Sequence, residues 1–167
     1  LIPDQYVNPA PIPYAIQEVI EANLKNDFKA SAISDFLFRK VPRFINGPKN
    51  PILEPNLSAE EFIKSITSAA NELDNSYLCI QGPPGAGKTF TARNVIGNLI
   101  AKGMRVGISS NSHKAIINLM DGVADYLLEN KIEGSLIKIG GEDDDPIFNK
   151  TNVAFRKDAK SCGEDIN

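Results

Sequence analysis

The chain has 167 residues, 42% of them apolar, which suffices for one globular domain with a core, and its formal charge of −3 argues against a generic nucleic-acid binder. One histidine and two distant cysteines, Cys79 and Cys162, exclude a His- or Cys-rich metal site and read as thiols in a reducing cytoplasm. Apolar runs are short and interrupted by charges, so no membrane span is expected, and a start at Leu1 rather than Met reads as a piece of a longer polypeptide.

Residues 1–57 read as a helical and Pro-rich lead-in. Pro13 suits the first turn of a helix reaching about Lys25, with Ile16, Val19, Ile20 and Leu24 on one face. A second amphipathic helix fits Ala30–Arg39, and the prolines of Pro42–Pro55 read as irregular chain. Ser58 and Glu61 have the spacing of a capping box, opening a helix that carries Phe62, Ile63, Ile66, Ala69, Ala70 and Leu73.

From there the pattern becomes regular. Tyr77–Ile80 reads as a strand, Lys88 to about Ala101 as a helix, and Arg105–Ser109 as a second strand. Ser112 to about Glu129 reads as a long helix with Ile116, Leu119, Val123 and Leu127 inward, and Leu136–Ile139 as a third strand. This alternation predicts an α/β fold, a parallel sheet with helices on both faces. Residues 58–141 would form the first part of that domain, and 142–167, opening on the acidic run Glu142–Asp145, an acidic loop that starts an insertion.

Gly82-Pro83-Pro84-Gly85-Ala86-Gly87-Lys88-Thr89 matches the P-loop pattern between a strand and a helix. Glycines let backbone N–H groups approach phosphate oxygens, and the helix start adds unpaired donors and a positive dipole end. Lys88 suits the β- and γ-phosphates of ATP, and the Thr89 hydroxyl suits Mg²⁺; these two are the expected catalytic residues, with Thr89 the metal ligand. Kinases, GTPases, transporters and motors all use such a loop, so its surroundings must discriminate.

Two features do so. The window 75–120 carries Lys88, Arg93, Lys102, Arg105 and Lys114 and no acid, whereas both flanks are acidic. Inside it, Ser110-Asn111-Ser112-His113-Lys114 ends a strand and opens a helix, on the edge where parallel strands place ligands. These side chains are good donors to a phosphodiester backbone, and Ser112 is equally a plain helix cap.

Ile80-Gln81 with the P-loop, followed by Val106-Gly-Ile-Ser-Ser-Asn-Ser-His-Lys-Ala115 and Asn118-Leu119, resembles motifs I and Ia of superfamily 1 helicases. The likeness is to the branch of nonsense-mediated-decay helicases and replication helicase–nucleases, and within it to bacterial proteins fusing a RecB-like nuclease to a helicase. The resemblance implies an incomplete RecA-like P-loop NTPase domain, the first motor domain of an ATP-dependent helicase or translocase. Ser110, Asn111, Ser112, His113 and Lys114 would touch single-stranded nucleic acid, with DNA favoured over RNA, and the remainder of the helicase polypeptide would be the other partner. An adenine-reading Gln and a Walker B acidic pair are not recognisable. Motifs III to VI, with their arginine fingers, would lie beyond Asn167, so residues 1–167 alone are expected to hydrolyse ATP poorly. A small P-loop kinase or other phosphotransferase, and a non-enzymatic nucleotide-binding module, are the alternatives.

Overall fold

The computed structural model describes residues 9–25, 31–49 and 52–162, which divide into two compact units. The first comprises residues 1–49 and 72–79; the second comprises 50–71 and 80–167.

In the first unit, α1 spans Pro11–Lys25, with Pro11 and Pro13 in the turn where a missing N–H is harmless. Its expected apolar face does not form a core: Ile16, Ile20 and Leu24 are all more than half exposed. Helix α2 is shorter than the periodicity suggests, Ala32–Leu37; Ala30 lies outside the described residues. A reciprocal cap starts it, Ser34 N–H donating to Ser31 Oγ at 3.2 Å and Ser31 N–H to Ser34 Oγ at 3.0 Å. Asp35, fully buried on α2, accepts from Arg43 Nε at 2.8 Å and Ser76 Oγ at 3.0 Å. This buried carboxylate clips residues 72–79 to the segment after α2, and an antiparallel bridge from Phe44 to Leu73 extends the join.

The second unit holds α3 (Ala59–Asn71), α4 (Lys88–Ala101), α5 (His113–Glu129), β1 (Leu136–Ile139) and β2 (Val153–Arg156), plus 3₁₀ turns at Pro146–Asn149 and Ala159–Cys162. The Ser58–Glu61 box forms as its spacing predicts, Ser58 N–H reaching Glu61 Oε2 at 2.9 Å and Glu61 N–H reaching Ser58 Oγ at 3.3 Å. The core lies under α5, whose Met120, Val123, Ala124 and Leu127 are buried with Leu136, Ile147 and Val153. Val123 and Leu127 point inward as their spacing predicts, and Ile116 and Leu119 pack against the rim of the cluster.

The fold is α/β, with a two-stranded parallel sheet in which Leu136 pairs with Val153 and Ile139 with Arg156. Two of the three expected strands are corrected. Tyr77–Ile80 joins no ladder; Tyr77 instead donates its hydroxyl to the Lys40 carbonyl at 2.7 Å and packs edge-on against Phe36. Arg105–Ser109 joins no ladder either, and an open cleft of about 680 Å³, lined by Met104, Val106, Ile108, Leu136 and Ile139, lies between it and β1. The partner of β1 is β2, which the periodicity misses: four residues with one charged end give too short a run to read, and the link of residues 140–152 is a 3₁₀ turn rather than a helix. Lys150 braces that link, its Nζ lying 2.6 Å from Asp121 and 2.5 Å from Asp125 on α5.

Candidate nucleotide site and its neighbouring helix terminus

The P-loop residues Gly82–Thr89 lead directly into α4, whose first residue is Lys88. Gly85 and Gly87 have φ of 80° and 77°, the left-handed conformation that side chains disfavour, and these turns let the loop fold over the helix start. At Gly82 a Cβ would sit 3.1 Å from that of Ala86, so the loop is already closed tightly. Gly87 caps α4 without a side chain, which leaves the first-turn amides available to a ligand. Lys88 Nζ donates to the carbonyls of Gly82 at 2.7 Å and Pro83 at 2.8 Å, so its cation is held inside the loop. Pro83, Pro84, Gly85, Ala86, Gly87, Lys88 and Thr89 are exposed, and Gly82 is half-buried. Amides, a cation and a mouth open to solvent fit a polyphosphate. The exposed Thr89 hydroxyl stands where the Ser or Thr of a P-loop would help to hold Mg²⁺ beside the phosphates.

Helices α4 and α5 run parallel. A Cβ on Gly97 would lie 2.1 Å from Tyr126 Cδ1, and one on Gly122 would lie 3.3 Å from Arg93 Cδ, so moving four residues back along α4 moves four back along α5. Both N-termini therefore lie at one end. From the Gly97–Tyr126 crossing, Lys88 is nine residues away and His113 thirteen, so α5 extends about 6 Å further at a rise of ~1.5 Å per residue. The carboxyl end of β1 reaches the same end, since Gly141 lies beside the His113 ring.

The cluster Ser110–Lys114 sits there. Ser110, Asn111, Ser112 and Lys114 are exposed, and His113, the first residue of α5, is half-buried. Ser112 is the N-cap, its Oγ accepting from Ala115 N–H at 3.4 Å, and Ser110 Oγ accepts from Ser112 N–H at 3.3 Å. The capping role is thus real and both hydroxyls are engaged, Ser110 Oγ also donating to Asn111 Oδ1 at 3.5 Å, while the Asn111 amide nitrogen and Lys114 lie on the exposed surface.

Sequence reasoning missed Lys138. It is the single charge in the β1 run Leu-Ile-Lys-Ile, only 3% exposed, and its Nζ lies 2.9 Å from His113 Nδ1. Burial pushes its ammonium below the usual lysine value. The signal was that lone charge in a core strand, but its partner 25 residues earlier was invisible without the fold. Arg156, ending β2, pairs with Ile139 and so also lies at the carboxyl edge.

The model of an AAA domain family matches residues 56–162. The chain belongs to that family. The match covers α3 through the second 3₁₀ turn and includes the P-loop, Ser110–Lys114 and both strands, so this AAA domain is a superfamily 1 helicase-like P-loop module. Nucleotide binding follows from that membership, as does NTPase activity of a general kind. No curated protein and no solved structure matches the chain. Among the described residues, no helix is long and apolar enough to cross a membrane, and no group of His, Cys, Asp and Glu could hold a metal ion.

Proposed function

We propose that this AAA domain is the ATP- and Mg²⁺-binding front part of the first motor domain of a cytoplasmic superfamily 1 helicase or translocase, of the branch in which a RecB-like nuclease is fused to the motor, acting on single-stranded DNA. Lys88 and the Gly82–Thr89 amides hold the triphosphate, Thr89 holds Mg²⁺, and Ser110, Asn111, Ser112, His113 and Lys114 contact the strand backbone. The single observation that carries this reading is the parallel pairing of α4 and α5. A phosphate loop opens one helix, a cluster of donors opens the next, and close packing of the two helices puts both termini at one end of the unit.

The test pairs titration calorimetry with ATP and Mg²⁺ against anisotropy of a labelled oligothymidylate at two salt concentrations. The reading expects binding of both, with strand affinity falling steeply as salt rises and tolerating changes of base. Nucleotide binding without any strand binding would overturn the helicase reading and favour a phosphotransferase.

A further inference from the structure

Lys138 and His113 form an arrangement that nothing in the P-loop chemistry requires. The ammonium of Lys138 has three protons, and three acceptors surround it: His113 Nδ1 at 2.9 Å, the Ile139 carbonyl at 2.8 Å and the Gly140 carbonyl at 2.5 Å. Among the described residues no carboxylate lies within ion-pair distance of it. A buried cation without an anion is expensive, and it persists only where hydrogen bonds to the charged form replace water. Here all three protons are accommodated, two by carbonyl oxygens and the third by the ring nitrogen. Lys138 therefore keeps the proton, and Nδ1 is left the acceptor's part.

Gly141 completes the clamp. Its φ is +84°, and a Cβ there would lie 3.1 Å from Nδ1 and 3.3 Å from Cε1, so its bare Cα lies against the imidazole. The ring is held from the end of β1, by Lys138 Nζ and by the Gly141 backbone. A neutral imidazole has one ring proton, and with Nδ1 accepting, that proton sits on Nε2.

We propose that Lys138 is a positioning residue which locks His113 as the neutral Nε2–H tautomer, so that the start of α5 offers a phosphate a directed, uncharged donor. The inference rests on the strand-contact reading of Ser110–Lys114 for its purpose and on the clamp geometry alone for the tautomer. Nε2–H is the donor, and the pocket holding it is preorganised, so no imidazole rotation is lost on binding. Lys114 beside it supplies the mobile charge, which divides the work between a fixed donor and a flexible cation.

His113 is the only histidine in the chain, so long-range ¹H–¹⁵N spectra of the full chain show one imidazole. The expected wild-type signature is an unprotonated, hydrogen-bonded Nδ1 and a protonated Nε2. A predominant Nδ1–H form overturns the lock, and this readout needs no variant to fold. Lys138→Met keeps the chain length and removes the donor; it is expected to yield a mixture of tautomers and to weaken oligothymidylate binding about as much as His113→Ala, by roughly tenfold. An unchanged tautomer in Lys138→Met overturns the positioning role. An unchanged strand affinity in His113→Ala, with the wild-type tautomer as stated, instead overturns the contact of this helix start with the strand.

Discussion

Gly97→Ala tests the helix pairing that joins the two sites, because two effects of opposite sign meet there. In an exposed helix this change stabilises by about 1 kcal/mol, since alanine loses less backbone freedom than glycine. At this position the new Cβ would lie 2.1 Å from Cδ1, 2.4 Å from Cε1 and 3.0 Å from Cγ of Tyr126. Carbon atoms in contact prefer about 3.5–4.0 Å. Turning the ring about its own axis does not relieve the Cγ contact, so α4 and α5 must separate or Tyr126 must leave its rotamer. Overpacking of this kind costs about 1–3 kcal/mol, which exceeds the propensity gain at most of its range. The expected result is a net loss of about 1 kcal/mol, read as a lower urea midpoint at unchanged slope. In a Tyr126→Ala background the clash is gone, and the same Gly97→Ala change should then stabilise, reversing its sign in the double-mutant cycle. A raised midpoint for Gly97→Ala with Tyr126 intact would refute the close crossing and, with it, the shared end of the two helix termini.

Three further outcomes follow from the same geometry. Lys88→Ala should lower ATP affinity roughly tenfold to a hundredfold, the worth of about 1.5–3 kcal/mol for a hydrogen bond to a charged group, in titration calorimetry on a mutant shown to be folded. Lys114→Ala should weaken oligothymidylate binding for all sequences alike and flatten the salt slope by about 0.7, whereas a purely solvated lysine would leave both unchanged. Arg43, the largest influence on Asp35, holds its carboxyl below the ordinary 3.8, with Ser76 and Lys40 adding to the shift against the opposing effect of burial. A carboxyl depressed in the folded state adds stability above its unfolded value and loses it as pH falls from about 3.8 through the folded value. Acid titration of Asp35→Asn should show a shallower loss over that window than wild type, and identical acid limbs would remove Asp35 from the account.

What the sequence settled by itself is what local chemistry settles. Gly82–Thr89 identified a phosphate loop because glycine φ values, a helix start and a cation are properties of neighbouring residues. Ser58 with Glu61, and Ser112 with the helix it opens, were legible for the same reason, since a cap is made within four residues. The α5 periodicity chose Val123 and Leu127 for the core, and both are buried. Strand partners were another matter. A ladder needs two segments, and apolar content does not state which ones pair: Tyr77–Ile80 is drawn to Lys40 and Phe36, a cleft lies between Arg105–Ser109 and β1, and Val153–Arg156 takes the edge instead. The parallel run of α4 and α5 and the capture of His113 by Lys138 depend on residues 25 or more apart. Only tertiary packing brings such groups within hydrogen-bond range, because their separation along the chain carries no trace of their contact in space.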